Sequence, residues 1–327
     1  VPVFGGCYYE HICHGLPDKS GGIRCGEILY LYSYHSGDNY VPGISYIQEG
    51  GGAVMKRSEK LRIAVSLAIL TVSVAVVIIP LALTVLNSFK PYSEIAANIM
   101  ALPKVFTIEN YVEAWERLNF PVVFKNTLII AIFSNLGSIV FASMLGYWIV
   151  RHPGKGTRLI YLVIIAGMSV PFQGIMITFA KVVGFLNLNN HLYGAIISNW
   201  VFSMPMSMFL SAGAVKSVPL EIEESARIDG CDPLKTYWLV VFPLIKGTIF
   251  TVASLNVITY WNDYLMTQFL LTKKGMRTIQ IAMQSLFNEA FFAWDVALAA
   301  ISLSILPVFI CFIFSEKQVL GGVAAGA

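Results

Sequence analysis

Charge is scarce in this sequence. Lys, Arg, Asp and Glu make up 13% of the 327 residues, against about 25% in soluble domains. The deficit comes from long uncharged apolar runs, which water-soluble folds rarely contain. The net charge of +3 is too small to point to nucleic acid. No G-x-x-x-x-G-K-[ST] phosphate loop occurs, so the chain does not bind and hydrolyse ATP by that route. No H-E-x-x-H occurs, and all five histidines (His11, His14, His35, His152, His191) lie outside the centres of the apolar runs. That weighs against a membrane-embedded enzyme. Cys7, Cys13, Cys25, Cys231 and Cys311 make no C-x-x-C pair, so neither a disulfide framework nor a zinc site is well supported.

Hydrophobic residues, in contrast, make up 56% of the chain. Roughly 18 apolar residues in a row can cross the hydrocarbon core as a helix, and a helix satisfies its own backbone where lipid offers no partners. Six such spans are expected, at about 63–86, 123–149, 158–182, 193–215, 247–271 and 293–315. The fold class expected is an all-α, multi-pass membrane protein.

Basic residues orient the spans, because Lys and Arg collect on the cytoplasmic side. Lys56, Arg57, Lys60 and Arg62 precede span one, while Arg151, Lys155 and Arg158 lie between spans two and three. Lys216, Arg227, Lys235 and Lys246 lie between spans four and five, and Lys317 follows span six. All four groups share one side, which makes both termini cytoplasmic. Lys90, Lys104 and Arg117, on the other side, are interleaved with Glu94, Glu109, Glu113 and Glu116; Lys273, Lys274 and Arg277 form a cluster against the rule. Within the outer segment 87–122, Tyr111, Ala114, Trp115 and Leu118 share one helical face. They suggest a short helix at the membrane interface, where Trp and Tyr are favoured.

Residues 1–54 read differently, rich in Gly, Tyr and Ser and without a sustained helical or strand period. Met55-Lys56-Arg57-Ser58-Glu59-Lys60-Leu61-Arg62 then leads straight into the first apolar run, as bacterial inner-membrane proteins often begin. Just upstream stands Gln48-Glu49-Gly50, whose codons can spell a purine-rich ribosome-binding site. Residues 1–54 are therefore expected to be a non-native or disordered extension, translated upstream sequence, with 55–327 as the transmembrane domain. The rival is a small metal-binding extension using His11, His14 and the early cysteines, although their spacing fits no zinc pattern.

The segment between spans four and five has its own grammar. Pro219 suits the first turn of a helix, and Glu221, Glu223 and Glu224 follow near the positive end of its dipole. Gly230 is placed to end that helix in a left-handed conformation. Asp232 and Pro233 can open a second helix, with Trp238, Val241 and Phe242 on its apolar side and Pro243 interrupting it. A connector this ordered reads as a docking surface.

Here the chain resembles a family. Glu224-Ser225-Ala226, three residues, Gly230, nine residues, then Val240-Val241-Phe242-Pro243 looks like the EAA loop of ABC importer permeases. The family pattern is Glu-Ala-Ala, three residues, Gly, nine residues, Ile-x-Leu-Pro. The departures are Ser225, Val240 and Phe242. Ala226-Arg227-Ile228-Asp229-Gly230 is similar to the carbohydrate permeases of the maltose-transporter-like group. Phe124-Lys125-Asn126-Thr127-Leu128 and Trp261-Asn262-Asp263-Tyr264 resemble further signatures of that group, and the resemblance covers about residues 60–327. The tail 316–327 is similar too, but lacks the Val-Lys-Gly with which the family tail commonly continues.

The resemblance implies a type I ABC importer permease of six transmembrane helices, with a cytoplasmic coupling helix that fits a cleft in a separate ATPase subunit. Glu221, Glu224, Ser225, Ala226, Asp229, Gly230 and Pro243 are the implied coupling residues, Glu224 as the contact and Gly230 as the elbow. The implied partners are an ATPase dimer that binds the ATP, a second and different permease chain, an extracytoplasmic sugar-binding protein and the bilayer. The chain itself needs no cofactor or metal. Polar residues within spans usually face a bundle interior or a cavity. Asn126, Gln173, Asn199, Asn256 and Asn262 are therefore candidates for the translocation path, the alternative being hydrogen bonds that only hold helices together. Pro171 and Pro205 are expected to break or bend spans three and four. A secondary transporter is disfavoured, because the spans hold almost no mid-membrane charge and no evident repeat. An ABC importer for another solute, such as an amino acid or phosphate, stays open.

Overall fold

A computed structural model describes residues 8–12, 29–36, 39–45, 57–287 and 293–326. It divides into two units, Val1–Val76 and Val77–Ala327. In the first, β1 (Tyr8–Ile12), β2 (Leu29–Ser36) and β3 (Asn39–Ser45) form an antiparallel sheet in the order β1-β2-β3. Tyr30, Tyr32 and Tyr34 alternate along β2, a period-two signal that corrects the reading of residues 1–54 as patternless. Met55, Cys7, Cys13, Cys25 and His14 lie outside the described residues. Helix α1 (Arg57–Ser88) opens in this first unit. It carries no charge from Ile63 to Ser88 and is long and apolar enough to cross a membrane.

The second unit is all-helical among its described residues. Short helices α2 (Tyr92–Ala97) and α3 (Glu109–Leu118) precede the long α4 (Phe120–Arg151). Next come α5 (Lys155–Gly167), α6 (Phe172–Phe185) and α7 (Leu192–Lys216). Then follow α8 (Leu220–Ile228), α9 (Pro233–Thr236), a π-helical turn (Tyr237–Val241), α10 (Phe242–Leu244) and α11 (Lys246–Trp261). The chain ends with α12 (Leu265–Leu270), α13 (Ile279–Phe287) and α14 (Trp294–Gly326).

Ala64–Ser88, Phe120–Arg151 and Leu192–Lys216 can each cross a membrane, and two bent pairs raise the count to five. Trp294–Ile310 is a shorter apolar stretch of α14. One expected span breaks as Pro171 predicts, and another needs correcting. Span three is broken into α5 and α6 with a 107° bend, because Pro171 sits extended (φ −67°, ψ 135°) before α6 and cannot continue a helical ladder. Span five, expected to reach residue 271, stops at Trp261. There Asp263 turns the chain: its Oδ1 accepts from the Met266 amide and its carbonyl from Thr267 Oγ1. Pro205, expected to bend span four, lies inside a continuous α7.

Small and hydroxyl side chains let α4 and α7 approach closely, as interhelical contacts in lipid require. Gly146 faces the α7 backbone, where an added Cβ would lie 3.0 Å from the Ala212 nitrogen. Polar pairs tie the helices: Asn199 Nδ2 donates to Ser134 Oγ (3.2 Å), Asn256 Nδ2 to Ser207 Oγ (3.1 Å), and Ser138 Oγ bonds Tyr260 Oη (2.6 Å). Among the described residues, the core falls into three clusters. One joins α3, α4, α13 and α14 around Trp261, and one joins α6, α7 and α12. The third gathers Tyr147, Val215, Tyr237, Val241 and Ile249 at the Arg151 end of α4.

The two ends of α4 are separated by about 48 Å, from 32 residues at about 1.5 Å each. At the Phe120 end, Asn126 Nδ2 donates to the carbonyls of Gly275 (2.9 Å) and Arg277 (3.0 Å). The Lys273, Lys274 and Arg277 cluster is thereby held at the opposite end from Arg151. Helix α3 forms as expected, burying Asn110, Ala114 and Leu118, while Trp115 stacks on Phe120 with ring centroids 4.8 Å apart.

Candidate functional site: the α8 elbow and a polar cavity

The α8 segment follows from its sequence locally. Pro219 is extended at the N-terminus of α8, and Glu221 and Glu223 lie in the first turn, where the dipole favours negative charge. At the other end the Gly230 amide donates to the Arg227 carbonyl and the Cys231 amide to the Ala226 carbonyl, both at 3.0 Å. Those two bonds are a Schellman motif, and its left-handed position is Gly230, with φ +88°. Asp232 Oδ1 then accepts from the Lys235 amide at 2.8 Å, capping α9, whose first residue is Pro233. Pro243 does not interrupt the helix, contrary to expectation. The ladder widens instead, the Phe242 amide donating to the Tyr237 carbonyl, and a π-turn of this kind accommodates a proline ring. The 79° bend comes after Leu244, at Ile245. Tyr237 and Val241 are fully buried, with Trp238 and Phe242 half-buried against them.

One relation that sequence reasoning missed fixes α8 to the bundle. Glu223 is fully buried. Its Oε2 accepts from Tyr147 Oη (2.9 Å) and its Oε1 from Arg151 Nε (2.8 Å), with Arg151 Nη2 at 2.6 Å from the same oxygen. Arg151 Nη2 also donates to the carbonyls of Val215 and Val218. The guanidinium therefore joins the last turn of α4, the end of α7 and the start of α8. Ser143 Oγ bonds Tyr237 Oη at 2.5 Å, and the Tyr147 and Tyr237 rings lie 5.2 Å apart, so the π-turn is tied to α4 as well. The signal available in the sequence was spacing: Glu223 and Ala226 are three apart on one face, and both are buried.

The opposite face of α8 is open. Glu221, Glu224, Ser225 and Asp229 are exposed, and Ile228 is 87% exposed, an unusual position for a large apolar side chain in a polar loop. Among the implied coupling residues, Glu221, Glu224, Ser225, Asp229 and Gly230 thus lie on the open surface; Ala226 is buried, and Pro243 is exposed beyond the π-turn.

The five path candidates separate. Gln173, Asn199 and Asn262 line one cavity of about 430 Å³. Asn126 and Asn256 are absent from its lining, and their amides are engaged with Gly275, Arg277 and Ser207. Asp263 also lines it, a residue that entered the sequence reading only within Trp261-Asn262-Asp263-Tyr264.

Residues 117–319 match the family described as binding-protein-dependent transport system inner membrane component. The chain is 33% identical over 248 residues (76% of this chain, 90% of the relative) to a probable starch degradation products transport system permease protein, AmyC, of Thermoanaerobacterium thermosulfurigenes. It is 31% identical over 280 residues (84% and 99%) to the multiple sugar-binding transport system permease protein MsmG of Streptococcus mutans. A crystal structure of a bacterial ABC transporter involved in import of the acidic polysaccharide alginate has the same fold, with a TM-score of 0.70 at 21% identity over 81% of this chain and 99% of that one. The chain belongs to the binding-protein-dependent inner membrane components and is a multi-pass membrane permease of an ABC importer rather than an enzyme.

Proposed function

We propose that this permease passes a sugar or oligosaccharide across the bacterial cytoplasmic membrane, and that α8 is the coupling helix on which an ATPase subunit acts. Six spans, both termini cytoplasmic, accord with the basic residues Lys155, Arg158 and Lys216, which line one surface depression at the α8 end of the bundle. The sugar reading is supported by AmyC and MsmG, whose names specify starch products and multiple sugars. The partners are an ATPase dimer, a second permease of different sequence and an extracytoplasmic sugar-binding protein; transporters of this fold are described with a substrate-loaded periplasmic protein in the alginate system.

The observation that carries the coupling role is the two-faced construction of α8. Its inner face is anchored by a buried ion pair to α4, and its outer face presents Glu224 and Ile228. A rigid, anchored helix can transmit a push into the bundle, whereas a free loop would absorb it. ATP-driven closure of the ATPase pair would move α8, and α4 and α7 with it, switching access between the two sides of the membrane. Scrambling residues 221–231 should abolish co-purification of the ATPase subunit while the permease stays in the membrane. Solute movement by the purified chain without any ATPase would overturn the reading.

A further inference from the structure

The cavity of about 430 Å³ beside α6 and α11 lies where two helix breaks meet. One break is the Pro171 bend ahead of α6, and its first residues, Phe172 and Gln173, line the cavity. The other separates α11 from α12, and its three residues, Asn262, Asp263 and Tyr264, line the cavity as well. Asn199 stands on the α7 wall, about 10 Å along the helix from Leu192 by the usual rise per residue. Interrupted backbone at membrane depth is tolerated where it is buried in protein or lines a water-filled space, so two breaks on one cavity mark a place kept open to polar contents.

Its chemistry is specific. Gln173 and Asn262 are exposed side-chain amides, each able to donate and accept, Asn262 with one N–H already given to the Ile258 carbonyl. Phe172 and Phe202 form an edge-to-face pair, ring centroids 5.3 Å apart, and supply an apolar wall. The Asp263 carboxylate uses Oδ1 on the Met266 amide; its Oδ2 is enclosed by protein and, among the described residues, has no hydrogen-bond partner. Among the described residues, none that lines the cavity is basic. A carboxylate beside the cavity with no cation against it repels a ligand anion. Exposed amides and aromatic edges together suit a sugar ring, which offers hydroxyls around its rim and C–H groups on its faces.

We propose that this cavity is a binding station for an uncharged sugar ring during passage, with Asp263 as the residue that favours neutral over acidic sugars. The inference rests on the carbohydrate reading and adds to it a subsite in this chain and a charge class for its cargo. It is tested in proteoliposomes holding the complete importer with its own binding protein. Uptake is measured for a panel of neutral di- and trisaccharides, maltotriose and raffinose among them, and for their aldonate forms. Wild type and variants share one binding protein, so its own preference cancels when variants are compared. Asp263→Asn is expected to narrow the preference for neutral sugar over aldonate at least fivefold, and Gln173→Ala to lower maximal uptake of the neutral sugar at least threefold. Gln173 is exposed, so its replacement tests the cavity even if Asp263→Asn fails to fold. If neutral sugar is transported but preference and maximal rate are those of wild type in these variants, the subsite is refuted and the carbohydrate reading survives. If wild type moves no sugar but moves an amino acid or phosphate, both are refuted.

Discussion

Arg151 and Glu223 close a buried ion pair across a gap of 72 residues in the chain, Nε to Oε1 at 2.8 Å and Nη2 to Oε1 at 2.6 Å. Glu223 is fully buried and the Arg151 side chain is 12% exposed. Tyr147 Oη and the carbonyls of Val215 and Val218 complete the shell. A pair so enclosed keeps its geometry, which is what a lever between α8 and α4 requires.

Removing one partner leaves the other charge buried, at a cost of about 3–5 kcal/mol, whereas replacing both by apolar residues can be neutral. Arg151→Met and Glu223→Leu should each lower the melting temperature and sugar-driven ATP hydrolysis in the complete importer. The double variant should recover most of the melting temperature but not full coupling, because the guanidinium bonds to α7 are gone. Melting in detergent, followed beside ATPase assays of the reconstituted complex, reads both.

Gly230 has open space around the position of a Cβ, so its requirement is conformational. Left-handed backbone costs an L-residue about 1–2 kcal/mol, and Asn bears it better than most. Gly230→Asn should keep the larger part of uptake, Gly230→Val should keep little, and Gly230→Pro almost none, since its amide bond to Arg227 would be lost as well. Uptake per permease in the membrane measures this order.

Ile228 and Glu224 are exposed and away from the anchoring face. Ile228→Asp and Glu224→Lys should leave the melting temperature within about 1 °C, as surface changes usually cost under about 0.5 kcal/mol. They should nevertheless weaken retention of the ATPase subunit tenfold or more. Pull-down at graded ATPase concentration distinguishes this from a folding defect.

Asn126 acts as a pin. Its Nδ2 donates to two carbonyls of the 275–277 turn, each such bond contributing about 0.5–1.5 kcal/mol net. Asn126→Ala should therefore raise amide hydrogen exchange at residues 273–279 while leaving the α8 segment protected as before.

Local chemistry made much of this legible from the amino acids. Gly230, Asp232 and Pro233 encode the elbow because capping is decided within a few residues. Pro171 encodes the break before α6 for the same reason. What was not legible depends on distant partners. The burial of Glu223 needs Arg151, 72 residues earlier, and the α8 sequence separates Glu223 from exposed Glu221 and Glu224 only by its spacing of three from Ala226. Lys90, which reads as one more charge of an outer loop, is 1% exposed, its Nζ donating to Asn87 Oδ1 at 2.8 Å. The end of α11 was misplaced because hydropathy runs on through Tyr264-Leu265-Met266, while the turn is set by the two hydrogen bonds of Asp263.

Cys231 offers the most direct measurement, since it follows the elbow and is partly accessible. Membrane vesicles of both orientations, stripped of ATPase, would be treated with a membrane-impermeant maleimide and the Cys231 peptide quantified by mass spectrometry. The account predicts labelling only in inside-out vesicles, and protection when purified ATPase subunit is added back. Labelling of Cys231 from the outer surface, or labelling that the ATPase leaves untouched, would contradict it.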